Sequence, residues 1–374
     1  MKKSLLTLFS AVVIVLSTVG CSGNVVEHET YQYSNPVYGC GADPSIIKAD
    51  DGYYYVYVTS ENYDWEGTGQ SYQSTGPILR SKNLTEFEYV GCVFPDGVPN
   101  WSRAHNAGVW APDIVYRNNK YYYYYSLGVF SGDIKASGIG VATSDYPAGP
   151  WTDHGKILDG YDVENPNPID PCVKVDKDGR VYMFYGSFKG SMDYIELDQD
   201  GITPLNKDKK NYGKKKMFDC GLEGCYIFEA NGYYYFMGSG GTMNQGLNST
   251  YYVVCYRSKE LFGSYVDAYG NDAAFTPNNV QSYVITPSKG YAKGTGHNAI
   301  IQDDDGIYYI VYHAYDQLGW ETNKKRKLLI DRLYWDENKM PYVSSIIDGV
   351  ECKFTSSLGT TFRAPYIDGE ANEK

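Results

Sequence analysis

Metal-binding and redox motifs are scarce in this sequence. Its 374 residues include five histidines and eight cysteines. The cysteines form no C-x-x-C pair and no zinc-ligand spacing. These features disfavour a structural zinc site and a two-metal catalytic site. A single hard cation such as Ca²⁺ stays open as an alternative, because carboxylates and water are the ligands it prefers.

Basic residues are also outnumbered. Lysine and arginine total 33 against 45 aspartates and glutamates, which gives a net charge of −12. A protein of this charge is a poor partner for nucleic acid, and neutral ligands fit better. Beyond the N-terminal segment there is no long helical periodicity and no low-complexity linker. The length is enough for one large all-β domain or two smaller ones.

The N-terminal segment has the pattern of an export signal. Two lysines precede an apolar run from Leu5 to Val19, which is too short to span a bilayer comfortably. Gly20-Cys21 follows and resembles a bacterial lipoprotein box. We predict a lipoprotein-type signal over residues 1–20, acylation of Cys21, a tether over residues 22–36 and a folded domain over residues 37–374. The product would be an exported lipoprotein at the cell surface or in the periplasm; the alternative is ordinary secretion.

Tyrosine and glycine are abundant, with 40 of each. Five tyrosine-rich stretches begin at a tight turn and continue as the second strand of a hairpin would. They recur at roughly 50–75 residues, a spacing typical of propeller blades. We therefore predict an all-β fold, a five-bladed β-propeller with four strands in each blade. The five stretches are Asp51–Tyr57, Asn119–Tyr125, Asp178–Tyr185, Asn231–Phe236 and Asp305–Tyr312.

One ionisable residue precedes each stretch in a similar local setting. The first strand of every propeller blade lies at the central axis, so these side chains are expected to converge on one site. Each aspartate taken singly is more often a turn or cap residue, but the fivefold repetition favours a functional role. The five residues are Asp43, Asp113, Asp170, Glu223 and His297.

Several carboxylates around a shared funnel favour glycoside hydrolysis. This reaction needs one carboxylic acid to protonate the leaving oxygen and one carboxylate to act on water or carbon. A further carboxylate can raise the pKa of the acid, because like charges oppose ionisation. Trp110, three residues before Asp113, is expected to stack on a sugar face; the alternative is a core tryptophan.

The inner-strand motifs resemble those of glycoside hydrolase family 43 in order and spacing, from about residue 35 to residue 345. The motifs are Ala-Asp43-Pro-Ser-Ile, Trp-Ala-Pro-Asp113, Ile-Asp170-Pro, Glu223-Gly and Gly-His297-Asn. The resemblance implies a five-bladed propeller and an inverting hydrolase of arabinose- or xylose-containing polysaccharides. It implies that Asp43 is the general base, that Glu223 is the general acid, and that Asp170 orients this acid and raises its pKa. It places His297 on the axis, where the matching histidine of arabinanases helps to hold Ca²⁺. It implies no organic cofactor.

Further segments resemble the arabinan-degrading members of the family. They are Gly186–Phe188, Asn248–Tyr251, His313–Asp316 and Lys327–Ile330. Arg326 stands where exo-acting β-xylosidases and arabinofuranosidases of the family place a sugar-binding arginine. We expect the substrate-binding residues to be Trp110, Asp113, Asn167, Ser187 and Arg326.

The leading hypothesis is an inverting hydrolase that cleaves α-L-arabinofuranosyl linkages in arabinan, in the endo-1,5 mode. An exo-acting α-L-arabinofuranosidase or β-xylosidase is the alternative among enzymes. A non-catalytic glycan-binding propeller at the cell surface is the alternative of another class, which the three carboxylates disfavour. The expected partner is a plant cell-wall polysaccharide, arabinan or arabinoxylan. The protein is expected to be a monomer that meets a membrane only through its lipid.

Overall fold

The structure is a computed structural model that describes residues 31–103, 106–219, 221–273, 283–285, 291–347, 350–353 and 361–364. The predicted signal segment and Cys21 lie outside these residues. Five antiparallel sheets form the blades of a β-propeller, as predicted. Within the described ranges, no helix is long and apolar enough to cross a membrane.

The strands of each blade pair in chain order from the axis outward. The first strand of the chain is β1 (Tyr31–Ser34). Blade 1 comprises β2 (Ser45–Lys48), β3 (Tyr54–Tyr57), an inserted hairpin of β4 (Glu61–Tyr63) and β5 (Tyr72–Ser74), then β6 (Pro77–Ser81) and β7 (Glu88–Cys92). Blade 2 comprises β8 (Gly108–Arg117), β9 (Lys120–Gly128), β10 (Gly138–Ser144) and β11 (Thr152–Asp159), followed by the short helix α1 (Gly160–Val163).

The remaining blades repeat this order. Blade 3 comprises β12 (Cys172–Val175), β13 (Val181–Tyr185), β14 (Met192–Leu197) and β15 (Lys215–Phe218). Blade 4 comprises β16 (Glu223–Ala230), β17 (Tyr233–Gly240), β18 (Tyr252–Ser258) and β19 (Tyr283–Ile285). Blade 5 comprises β20 (Ala292–Gln302), β21 (Tyr308–Asp316), β22 (Arg326–Trp335), β23 (Pro341–Ile347) and β24 (Val350–Lys353), and β25 (Thr361–Ala364) follows. Short 3₁₀ helices span Ile134–Ala136, Lys210–Gly213 and Gly246–Asn248.

The inner strands close a ring. Contacts join β2 to β8, β8 to β12, β12 to β16, β16 to β20, and β20 back to β2. The five predicted tyrosine-rich stretches overlap β3, β9, β13, β17 and β21, which are the second strands; β9, β17 and β21 continue beyond the predicted stretches. The ring therefore brings the five inner strands, and the residues at their beginnings, to one axis.

The tyrosines form the core between the blades. Successive side chains of a strand point to opposite faces of its sheet. In β9, Tyr123 and Tyr125 pack into the cluster between blades 1 and 2, whereas Tyr122 and Tyr124 pack into the cluster between blades 2 and 3. All four side chains are buried. Because neighbouring blades cover both faces of the sheet, the second strand carries aromatic side chains on both faces.

The N-terminal segment closes the circle on blade 5. The backbone N–H of Val37 donates to the carbonyl of Leu328 at 3.0 Å, and that of Gly41 donates to the carbonyl of Arg326 at 2.9 Å. Asn35 is buried and bonds the carbonyl of Ile330 at 2.9 Å. Through these contacts, the segment that leads into blade 1 runs beside β22.

Two sequence predictions need adjustment here. The tether was predicted over residues 22–36, but Tyr31–Ser34 form β1, which pairs with β25, and Asn35 packs against blade 5. The part of that tether before residue 31 lies outside the described residues. Blade 5 carries a fifth strand, because the chain turns after β23 and pairs again as β24, whereas four strands were predicted in each blade.

The hairpin of β4 and β5 was not predicted. Its two strands pair with each other and with no other described strand, and much of their surface is exposed.

Candidate active site

Each inner strand has, near the axis, a residue with left-handed backbone that lies within the strand or two residues before it. In β8, β16 and β20 the pairing register with the second strand shifts at this point, as it does at a β-bulge. Such a φ costs roughly 1–3 kcal/mol for a residue other than glycine, so surrounding contacts must hold it. The five residues, with their φ angles, are Asp43 (52°), Ala111 (41°), Asp170 (59°), Gly224 (60°) and His297 (49°).

Side chains from the preceding blade hold this backbone. In four of the five blades, the N–H of the left-handed residue donates to a side chain in the second half of the neighbouring second strand or just beyond that strand. These bonds run from Ala111 to Thr59 Oγ1 (2.9 Å), from Asp170 to Ser126 Oγ (2.9 Å), from His297 to Ser239 Oγ (2.8 Å) and from Asp43 to His313 Nδ1 (3.0 Å). We call this set of bonds the inter-blade ring.

Blade 4 departs from the inter-blade ring. The N–H of Gly224 donates instead to Oδ2 of Asp170 at 3.0 Å. A Cβ on Gly224 would lie 3.0 Å from Nδ1 of His297, so a larger residue would crowd the axis. Ser187, at the matching position of blade 3, accepts a hydrogen bond from Asn167 Nδ2 at 2.8 Å. The exception thus brings Asp170 next to the backbone that carries Glu223.

Asp43 is buried and held as an anion. Its Oδ1 lies 2.8 Å from Nη1 of Arg326, and 3.4 and 3.3 Å from the Nδ1 atoms of His297 and His313. Its Oδ2 accepts the hydroxyl of Thr59 at 2.6 Å. Burial opposes ionisation, but Arg326 and His297 outweigh it and hold the pKa of Asp43 well below its ordinary value. Asp43 is therefore a carboxylate at neutral pH.

His313 is a neutral acceptor in this arrangement. Its Nδ1 accepts the N–H of Asp43, so its own proton lies on Nε2. Burial, with help from Arg326, lowers the pKa of His313 to about 4. Because its Nδ1 is already an acceptor, this ring cannot also donate to the Asp43 carboxylate from the same atom. Its role is to hold the backbone of Asp43.

Glu223 and Asp170 have the opposite tendency. Burial raises the pKa of Glu223 to about 7, and the charge of Asp43 adds to this, while a 2.9 Å hydrogen bond from Tyr251 Oη opposes it. Burial also raises the pKa of Asp170 to about 7; His297 opposes this shift, and the charges of Glu223 and Asp43 add to it. One carboxylate and two carboxyls that retain protons near neutrality are an arrangement suited to acid and base chemistry.

Asp113 does not join these three carboxyl groups. Ala111-Pro112 takes the position that Asp43-Pro44 and Asp170-Pro171 take in their blades, so Asp113 lies two residues further along its strand. Its Oδ2 accepts the N–H of Val173 in blade 3 at 2.7 Å, and its Oδ1 lies 3.4 Å from Ser45 Oγ in blade 1.

The sequence predicts that Asp113 converges on one site with Asp43, Asp170, Glu223 and His297; its described contacts are instead with the inner strands of blades 1 and 3. The matching residues of blades 1 and 3 make similar links: Ser45 accepts the N–H of Ile114 at 3.1 Å, and Cys172 accepts that of Ile227 at 3.3 Å. Burial raises the pKa of Asp113 to about 6. The described contacts of Asp113 join three blades, and its substrate-binding role stays a prediction.

Trp110 lies directly before Ala111, as Glu223 lies directly before Gly224. Its indole packs on Phe130 with ring centroids 4.4 Å apart, and the Phe130 ring is 67% exposed. A Cβ on Gly108 or on Gly128 would clash with the indole. Two glycines therefore leave room for the indole beside an exposed aromatic ring, which suits sugar stacking better than the alternative of a core tryptophan.

The other predicted binding residues lie around the same centre. Asn167 joins Ser187, as described above, and its buried Oδ1 has no partner among the described residues. Arg326, predicted to bind sugar, is nearly buried and bonds Asp43. Phe188 contacts the ring of Tyr251 edge-on at 6.4 Å.

Three residues of the site were not predicted as functional. Thr59, Tyr251 and His313 contact the predicted acid or base directly, and all three are buried. His313 and Tyr251 lie in segments noted only for family resemblance. A positional signal existed for Thr59 and His313, since each lies, like Ser126 and Ser239, seven or eight residues after the first residue of a tyrosine-rich stretch.

The residues around His297 do not fit a Ca²⁺ ion coordinated directly by several protein side chains. Within the described ranges, no three or more His, Cys, Asp or Glu side chains form a group that could hold a metal. Asp43, the carboxylate nearest to His297 Nδ1, is already bonded to Arg326 and Thr59. No catalytic step is therefore assigned to a metal.

Comparison with known proteins agrees with this geometry. The family model for glycosyl hydrolases family 43 matches residues 33–341. Extracellular endo-alpha-(1->5)-L-arabinanase 1 of Bacillus subtilis is 29% identical over 303 residues, which cover 80% of this chain and 87% of that protein. Extracellular exo-alpha-(1->5)-L-arabinofuranosidase ArbA of Cellvibrio japonicus is 30% identical over 291 residues, 72% of this chain and 81% of that protein. The solved structure of a family 43 endo-arabinanase from Bacillus licheniformis is similar with a TM-score of 0.67 at 27% identity, covering 83% of this chain and 99% of its own.

Proposed function

The chain belongs to glycosyl hydrolases family 43, and on that premise we propose that it hydrolyses α-1,5-linked L-arabinofuranosyl bonds of arabinan with inversion. The observation that carries the proposal is the arrangement around the axis, where an ionised Asp43 faces two carboxyls, Glu223 and Asp170, of raised pKa. Relatives named as arabinanases support the choice of arabinan.

The residues divide the reaction between them. Asp43 takes a proton from water as the water oxygen attacks the anomeric carbon. Glu223 gives its proton to the glycosidic oxygen as the bond to the anomeric carbon breaks. We assign to Asp170 the positioning of the acid, through its bond to the adjacent N–H of Gly224, and a share in keeping Glu223 protonated, to which burial and the charge of Asp43 contribute. Arg326 keeps Asp43 ionised before the proton arrives.

We propose endo action, with exo action as the second candidate, because relatives of both kinds occur. The test is incubation with linear arabinan, arabinoxylan and aryl glycosides, followed by chromatography of early products. A ladder of arabinooligosaccharides supports endo cleavage. Release of arabinose alone would identify an exo-arabinofuranosidase, and release of xylose a β-xylosidase. No release from any substrate, together with glycan binding, would identify a non-catalytic propeller.

We further propose that the protein is exported and anchored through a lipid on Cys21. Relatives named as extracellular support export. The support for the anchor is the apolar run and the Gly20-Cys21 pair. Mass spectrometry of the N-terminal peptide from the native membrane fraction tests this: a diacylglyceryl cysteine is expected, and an unmodified chain cleaved elsewhere would contradict it.

The proposal of a calcium ion near His297 rests on the family resemblance alone. With no group of three ligating side chains among the described residues, water would have to supply most of its ligands. Elemental analysis of the purified protein and chelation by EDTA test it. Unchanged activity and unchanged Tm after chelation, with no copurified ion, would exclude the metal.

A further inference from the structure

Thr59 differs from the other hydroxyl members of the inter-blade ring. Its Oγ1 accepts the N–H of Ala111, as Ser126 and Ser239 accept the N–H groups of their neighbouring blades. It also lies 2.6 Å from Oδ2 of Asp43. Among the described residues, neither serine bonds a carboxylate. The link between blades 1 and 2 therefore also contacts a group of the active site.

The two bonds of Thr59 fix the direction of its hydroxyl proton. A backbone N–H can only donate, so Ala111 occupies a lone pair of Oγ1 and leaves the hydroxyl hydrogen for Asp43. The carboxylate of Asp43 is ionised and can only accept. Hydrogen bonds to charged acceptors are shorter and stronger than neutral ones, in agreement with the 2.6 Å distance.

Asp43 is thereby held at three points. His313 holds its backbone N–H, Arg326 holds Oδ1, and Thr59 holds Oδ2. With the arginine on one oxygen and the hydroxyl on the other, the carboxylate plane cannot turn unless both bonds break. The orientation matters, because a general base needs a lone pair aimed at the attacking water. A misplacement of about 1 Å can cost about 10²-fold in rate.

We propose that Thr59 is a positioning residue for the general base, with a hydroxyl that sets the carboxylate plane of Asp43. The bond to Ala111 anchors that hydroxyl to the inner strand of blade 2. The inference rests on the base role given to Asp43 under the proposed function. Thr59 acts through Asp43 and is assigned no contact with the sugar.

The test compares Thr59→Val with Thr59→Ser on linear arabinan. Valine keeps the shape and removes both hydrogen bonds, so kcat is expected to fall about 10- to 100-fold, with KM within about twofold. Serine keeps the hydroxyl and is expected to restore kcat to within about threefold of wild type. If Thr59→Val does not fold, Thr59→Cys retains only a weak donor and is expected to lower kcat about tenfold.

Two controls separate positioning from stability alone. Ser239→Ala removes the equivalent backbone bond without a carboxylate contact, so it is expected to lower kcat less than Thr59→Val at similar loss of Tm. A 4-nitrophenyl arabinooligosaccharide needs little acid assistance. The loss in Thr59→Val is therefore expected to persist on this substrate, whereas the loss in Glu223→Gln shrinks.

Several outcomes would overturn the proposal. They are a Thr59→Val kcat within twofold of wild type, a Thr59→Ser enzyme as slow as the valine variant, or equal kcat losses in Thr59→Val and Ser239→Ala. Asp43→Asn distinguishes this failure from failure of the proposed function. If Asp43→Asn is inactive while Thr59→Val is fully active, the result contradicts the positioning role of Thr59 and leaves the base role of Asp43 intact. If Asp43→Asn retains turnover, the result contradicts the base role of Asp43 and therefore also the role given to Thr59.

Discussion

Arg326 and Asp43, 283 residues apart in the chain, form a buried ion pair with Nη1 and Oδ1 2.8 Å apart. The contact exists because the N-terminal segment lies along β22, where the N–H of Gly41 bonds the carbonyl of Arg326. The contacts that close the propeller between blades 1 and 5 therefore also bring Arg326 to the carboxylate of Asp43. The pair also explains how a fully buried carboxylate remains ionised.

This relationship predicts strong coupling between the two side chains. Arg326→Met leaves a buried carboxylate unpaired, which typically costs about 3–5 kcal/mol of folding free energy. We expect the double variant Asp43→Asn with Arg326→Met to lose less than the sum of the single losses in urea unfolding. The exposed pair of Arg80 and Glu88 is a matched control, expected to couple by less than about 1 kcal/mol. Additive losses at Asp43 and Arg326 would contradict the buried pair.

The raised pKa of Glu223 predicts the pH dependence of turnover. An acid with a pKa near 7 loses its proton as pH rises, so kcat on arabinan is expected to fall through about pH 7. Asp43, with its lowered pKa, is expected to cause no loss between about pH 5 and 6. A profile measured from pH 4 to 9 tests both limbs. Activity that increases from pH 6 to 9 would exclude Glu223 as the acid.

The same pKa predicts a pH-dependent change in stability. The folded state binds the Glu223 proton more tightly than the unfolded chain, whose glutamates have a pKa of about 4.3. This contribution is present in full below that value and is lost as pH rises through about 7. The Tm of Glu223→Gln relative to wild type is therefore expected to be higher at pH 8 than at pH 5. An equal difference at both pH values would show that Glu223 titrates normally.

The aromatic pair of Trp110 and Phe130 predicts a binding defect. Trp110→Ala is expected to raise KM for arabinan about tenfold, which corresponds to about 1.4 kcal/mol. The change in kcat should be smaller, because the indole does not contact the acid or base among the described residues. Tyr269→Ala is the control, since that ring is exposed and is not among the residues of the site. An unchanged KM would contradict sugar stacking and support the alternative that Trp110 only packs within the fold.

The buried links of Asp113 predict a structural effect. Asp113→Ala removes the acceptor for the N–H of Val173 and the contact with Ser45, which join three blades. Leaving a buried donor unpaired typically costs about 1–3 kcal/mol. A lower Tm is therefore expected, with KM nearly unchanged well below the melting range. A large rise in KM at unchanged Tm would instead support the substrate-binding role.

The blades and much of the site could be predicted because their signals are local. Tyrosine-rich second strands and the residue upstream of each repeat along the chain, so spacing could align Asp43, Asp170 and His297, and could place Glu223 within one residue of the same position. The same spacing misplaced Asp113, because the bulge sits at Ala111. The proline that follows Ala111, like those after Asp43 and Asp170, marks the correct alignment.

The sequence could not indicate the contacts that form where blade 5 meets blade 1. Thr59, His313 and Arg326 come from two blades at opposite ends of the chain and meet at Asp43. No local pattern encodes that meeting, and the direction of a hydroxyl proton depends on both of its partners. The hydrogen bond from Tyr251 to Glu223 likewise depends on the packing within blade 4.

The most direct test of the central assignment is the configuration of the first sugar released. Proton NMR during early hydrolysis of an α-linked arabinooligosaccharide resolves the two anomers before they equilibrate. With Asp43 directing water and Glu223 protonating the leaving oxygen, the β-anomer is expected to appear first. First appearance of the α-anomer would mean retention and would contradict the base role of Asp43.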